Sequence, residues 1–99
     1  MSRYRTRSGV VLTSICGESV LVAAKAVRDK VPPYAQLNES SAFLWRLLEE
    51  GAEPAQLEAA LLEEYEIEDP AIAASAVEAF IGQMLQKGYL LKEGDTNEE

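Results

Sequence analysis

The sequence has no histidine. That removes the usual general base at neutral pH, the Ser-His-Asp and Cys-His arrangements, and the commonest metal ligand. It has one cysteine, Cys16, so no disulfide can close within the chain. A single thiol with no histidine beside it makes a structural zinc site untenable and fits a reducing compartment. A reactive thiolate wants an electropositive neighbourhood, whereas Glu18 stands close to Cys16. The expectation is a small, partly buried turn residue. Six glycines form no phosphate-cradling loop. No apolar run is long enough to span a membrane. The basic start MSRYRTRSG lacks the apolar stretch and small-residue cleavage site of a secretory signal. These absences predict a cytoplasmic binding protein with no catalytic centre, cofactor or metal.

Carboxylates are plentiful, at 17 Asp and Glu against 9 Lys and Arg, a net charge of −8. The excess is uneven. Residues 1–30 net +4, residues 39–69 net −9 and residues 70–99 net −3. Glu49-Glu50 and Glu63-Glu64 are adjacent in sequence on solvent-facing turns. General acid and base work needs carboxylates that converge in a pocket with separated pKa values, so the acidic block reads as a solvated face or as a docking surface for a basic partner. An acidic surface repels phosphate backbones, which argues against nucleic acid.

The stretch YAQLNESSAFLWRLLEEG, residues 34–51, organises the 99-residue chain. Tyr34–Leu37 is a short strand. Asn38 is a good N-cap, because its side-chain oxygen accepts a free N–H of the first turn. Ala42, Leu44, Trp45, Leu47 and Leu48 then give a helix a broad apolar side, and Gly51 stops it. Before this stretch come two strands, over 9–15 and 19–25, rich in β-branched residues and joined as a hairpin with Gly17 at the positive-φ position. A charged connection over 26–31 ends in Pro32-Pro33, which forces extended backbone. A strand entered through two residues that cannot donate to a ladder belongs at a sheet edge. A second helix starts at Glu53-Pro54, where glutamate is a weaker cap, with Leu57, Ala60, Leu61 and Tyr65 as its buried stripe. Asp69-Pro70 opens a third helix, with Ala73, Val77, Phe80, Ile81, Met84 and Leu85 apolar and Gly88 as its end. Tyr89-Leu90-Leu91 adds a short strand or packs back on the core.

Strands followed by helices with short links predict an α+β domain of winged-helix type, a three-stranded antiparallel sheet followed by a three-helix bundle. Its expected extent is 9–92, with residues 1–8 a flexible arm or the lead-in to a strand and a disordered acidic tail over 93–99.

The strings LNESSAFLWRLLEEG, LEAALLEEYEIED and AVEAFIGQMLQKGYLL, in that order, resemble the PqqD family of pyrroloquinoline quinone biosynthesis and its relatives, the recognition elements for ribosomally made, modified peptides. The landmarks are Leu37-Asn38, Phe43-Leu44-Trp45, Leu61 to Tyr65, and Gly88 to Leu91. The upstream ICGESVLVAAK looks like the hairpin of the stand-alone members. The resemblance implies a winged-helix-like domain that binds the leader of a precursor peptide by strand addition. It also implies presentation of that peptide to a modifying enzyme, commonly a radical S-adenosylmethionine enzyme. Carried onto this chain, it places the peptide along Tyr34, Ala35, Gln36 and Leu37, against Ala73, Val77, Phe80 and Ile81 of the third helix. Leu37 is expected to point into the core, and the backbone of Tyr34, Ala35 and Gln36 to carry the pairing. The protein would act as a monomer or homodimer. Two other classes fit the residues: a docking protein that holds an enzyme through its acidic helices, and a winged-helix DNA binder. The second would need a basic recognition helix, and the third helix carries only Lys87 against Asp69 and Glu78.

Overall fold

A two-residue turn sets the register of the sheet. In the computed structural model, which describes residues 3–93, Cys16 has φ 52° and Gly17 φ 80°. Two successive left-handed residues make the hairpin turn whose twist matches that of the flanking strands. Cys16 therefore shares the positive-φ role expected of Gly17 alone. It is exposed rather than partly buried, because the tip of the turn projects from the sheet. The chain enters through β1 (Tyr4–Thr6), and the hairpin is β2 (Val10–Ile15) and β3 (Glu18–Ala23), paired from Ile15↔Glu18 to Val10↔Ala23.

After β3 the chain makes one 3₁₀ turn, Lys25–Val27, and buries Val31. It passes Pro32-Pro33 into β4 (Tyr34–Leu37), which pairs antiparallel with β3 from Ser19↔Leu37 to Val22↔Tyr34. The order is β2-β3-β4, so β4 lies at an edge, as the prolines predict. Strand alternation sorts the residues into two faces. Val10, Leu21, Ala23 and Leu37 are buried on the inner face, whereas Val11, Ile15 and Tyr34 stand exposed on the outer.

Three helices cover the inner face: α1 (Glu39–Leu48), α2 (Pro54–Tyr65) and α3 (Pro70–Lys87). Asn38 caps α1 by accepting from the Ser41 N–H at 2.8 Å. Asp69 caps α3 by accepting from the Ala71 N–H at 2.9 Å, and Gly88 ends it at φ 88°. The start of α2 is firmer than glutamate alone predicts. Glu53 accepts from the backbone of the first turn, while the Gln56 side chain accepts from the Glu53 N–H at 2.7 Å. This reciprocal box satisfies two orphan donors.

The arm expected over 1–8 is not an arm where it is described. β1 pairs with β5 (Leu90–Lys92) as a separate antiparallel ribbon, and Tyr4 exchanges backbone hydrogen bonds of 2.8 and 2.9 Å with Ala52. Arg7 is buried and donates Nε to the Gly88 carbonyl at 2.7 Å. Three residues are too few to show a periodic pattern, so only the pairing partner reveals this strand. Glu93 belongs to the ribbon's end, where it pairs with Arg3 at 3.2 Å. The rest of the expected tail lies outside the described residues.

One core joins all the helices to the sheet, with Trp45, Tyr89, Leu21, Leu48, Leu57, Leu90 and Val77 its largest fully enclosed side chains. Leu47, Tyr65 and Leu85, which periodicity puts among the apolar stripes, are exposed. Tyr65 sits in the last turn of α2, and its ring meets Phe43 edge-on at 5.8 Å.

Candidate functional site

The open edge of β4 is the feature from which a site can be built. In an antiparallel ladder, directly opposed residues alternate between pairs that exchange hydrogen bonds and pairs that do not. The Ala23 N–H donates to the Pro33 carbonyl at 2.9 Å, which fixes the phase. Counting on through the register, Ala35 faces Leu21 and Leu37 faces Ser19 as hydrogen-bonded pairs. Tyr34 and Gln36 therefore turn their N–H and C=O groups away from β3, towards the open side. The expectation that Tyr34, Ala35 and Gln36 all carry outward pairing is corrected at Ala35, whose backbone is held by β3. Leu37 points into the core as expected.

The edge is short for a physical reason. Pro33 has no N–H to offer, and Asn38 begins α1. Its entrance is anchored from the other side of the molecule. The Tyr89 hydroxyl donates to the Pro32 carbonyl at 2.8 Å. Burial pushes the Tyr89 phenol above its ordinary pKa, which keeps that donor protonated. On the outer face the Gln36 side-chain amide donates to Glu18, bracing β4 against the start of β3.

The eight residues proposed from the sequence do not meet in one cleft. Ala73, Val77, Phe80 and Ile81 are buried at 0%, 1%, 5% and 6% exposure and serve the core. Val77 and Ile81 also border a cleft shared with Tyr4, Pro54 and Glu58, where no β4 residue contributes. The space beside β4 is a different one. It is a trough of about 670 Å³ on the outer sheet face, bordered by Ile15, Val20, Val22, Arg28, Pro33 and Tyr34. Sequence reasoning missed Ile15, Val20, Val22 and Arg28. The available signal was VLVA over 20–23, apolar at every position, where a strand with one solvated face should alternate.

Among the described residues no three of Cys, Asp or Glu gather to hold a metal, and no helix is long and apolar enough to cross a membrane.

An α+β fold of winged-helix type, whose β4 edge is open at Tyr34 and Gln36, defines the class of domain. The particular family follows from the sequence: a profile of coenzyme PQQ synthesis protein D (PqqD) matches residues 18–90, and the chain belongs to that family. Two solved structures share the fold. One is described as lasso peptide synthetase B1 complexed with the leader peptide. It is 24% identical with a TM-score of 0.70, covering 89% of this chain and 96% of that one. The other is TbiB1 in complex with the TbiA(beta) leader peptide. It is 26% identical with a TM-score of 0.70, covering 94% of this chain and 99% of that one. No curated protein matches the sequence.

Proposed function

We propose that this protein is a non-catalytic chaperone that binds the leader of a ribosomally made precursor peptide and presents it to a modifying enzyme. The observation that carries the reading is the outward set of Tyr34 and Gln36 backbone groups on a short, uncharged edge. Strand addition draws its affinity from main-chain hydrogen bonds of this kind. A relative covering nearly its whole length, in complex with a leader peptide, supports the same reading. The modifying enzyme is proposed to be a radical S-adenosylmethionine enzyme. The neighbour described as lasso peptide synthetase B1 favours a second partner class, the enzymes that build lasso peptides.

An amide-shift titration with the leader of any precursor peptide found encoded near the gene tests the proposal. Shifts centred on Tyr34 and Gln36 are expected. Shifts confined to the acidic surfaces of α1 and α2 would instead identify an enzyme-docking protein. A silent spectrum with that leader would remove the chaperone reading.

A further inference from the structure

The outer face of the β2-β3-β4 sheet is unusually apolar for a surface that water covers. Tyr34 is 70% exposed, Val11 57% and Ile15 51%, with Val20 and Val22 half-buried between them. Singly scattered apolar residues need no explanation, whereas a contiguous patch marks an interaction surface. This patch runs into the β4 edge. The trough bordered by Ile15, Val20, Val22, Arg28, Pro33 and Tyr34 ends where Tyr34 and Gln36 turn their backbone outward.

The pleat decides which residues of an added strand reach it. Neighbouring strands keep their side chains in step, so directly opposed residues share a face. Tyr34 and Gln36 point to the outer face. Residues of an incoming strand that stand opposite them must point there too, whichever way that strand runs. Residues opposite Ala35 and Leu37 fall on the inner side, where Leu37 is already closed in the core.

Arg28 is the one charged residue among those bordering the trough. Its Nε donates to the Ala23 carbonyl at 3.2 Å, which fixes the guanidinium at the Pro33 end of the trough. Its terminal nitrogens meet no carboxylate among the described residues. On a chain of net charge −8, this is a local place for an acidic side chain.

Resting on the strand-addition reading above, we infer that the outer trough is the specificity pocket of the edge. The segment it selects is extended, with large aliphatic or aromatic residues at the alternate positions facing Tyr34 and Gln36. It carries an aspartate or glutamate at the end nearest Pro33, where Arg28 receives it. Main-chain bonds then hold any strand, and the trough chooses among strands.

The test is selection of random short peptides, displayed as a library, on the immobilised full chain. Enriched peptides should carry large apolar residues two apart and a carboxylate at one end. Val22→Thr keeps the β-branched shape but places a hydroxyl in the trough, and should weaken the best peptide about tenfold. Arg28→Gln should abolish the preference for the carboxylate and leave the apolar preference. Two controls address the edge itself. Gln36→Pro removes an outward donor, and N-methylation of alternate amides in the selected peptide does so without touching the protein. Binding that is lost in both controls but is indifferent to Val22→Thr and Arg28→Gln overturns the pocket and leaves strand addition standing. Binding that survives both controls, or a library that yields no binder, removes strand addition and the pocket together.

Discussion

The indole of Trp45 meets the ring of Tyr89 edge-on, with centroids 6.4 Å apart and planes at 85°. Aromatic pairs favour this geometry because the positive edge of one ring faces the negative face of the other. The contact ties α1 to the segment between α3 and β5. Through the Tyr89 hydroxyl it continues to Pro32, two residues before the open edge. The backbone that would receive a peptide is thus held by the centre of the core.

Trp45→Ala is the direct test of that core. Trp45 is fully enclosed, and emptying such an aromatic site costs about 3–5 kcal/mol. A domain of ordinary marginal stability then unfolds, or nearly so. Trp45→Phe should cost much less, because Nε1 finds no acceptor among the described residues and no hydrogen bond is lost. Thermal melts of the two variants check the difference. Equal melting temperatures for Trp45→Ala and the wild type would refute the organising role of α1.

Ala35→Pro and Gln36→Pro should behave oppositely, although they are neighbours. The Ala35 N–H lies in the β3 ladder, so a proline there breaks an internal bond and lowers stability. The Gln36 N–H faces outward, so a proline there should leave the fold near its original melting point and weaken peptide binding. Paired melts and titrations of both variants decide the phase of the edge.

Gly88→Ala should destabilise by about 1–2 kcal/mol from the left-handed backbone alone. Gly88 has φ +88°, and an added Cβ would lie 3.0 Å from the Lys30 carbonyl and 3.1 Å from Val31 Cγ1. The link that delivers β4 must then shift. Denaturant midpoints give the loss, and amide shifts at Tyr34 show whether the displacement reaches the edge.

The pH dependence of stability should appear on the alkaline side. Burial raises the Tyr89 phenol above its ordinary value, so the folded chain keeps a proton that the unfolded chain releases near about pH 10. The contribution is complete below that pH and is lost as pH rises through the higher folded value. Tyr65 is raised as well, first by burial and then by Glu39 and Glu64, with Arg46 opposing. It is more exposed to solvent and should matter less. Urea midpoints between about pH 8 and about pH 11 should fall, and Tyr89→Phe should flatten part of the slope.

Duplex DNA should not be retained. Backbone neutralisation supplies most non-specific affinity, and 9 basic residues face 17 acidic ones. A low-salt gel shift with micromolar retention would contradict this.

The parts of this fold that local chemistry specifies were readable in advance. Asn38, Asp69, Gly51 and Gly88 marked helix ends because each satisfies or tolerates one particular backbone state. Pro32-Pro33 marked an edge because neither residue can donate. What stayed hidden depended on partners distant in sequence. Tyr4–Thr6 becomes a strand only because Leu90–Lys92 lies beside it. The burial of Phe80 and Ile81 reflects how α3 packs, and a helix apolar over more than one stripe does not announce which stripe is covered. The phase of the β4 hydrogen bonds was equally out of reach, since it follows from the register with β3 and not from the four residues themselves.

Pro32-Pro33 has a consequence for how copies of this protein treat one another. An open strand is a template for any strand, including its own. Here the prolines cut the template to four residues, and the helix that follows closes its other end. A short peptide can lie along so brief an edge. Two folded copies gain few bonds by doing the same, while a charge of −8 on each holds them apart. The same two residues that deliver the receptive strand therefore limit how much of the β4 edge a second copy can use.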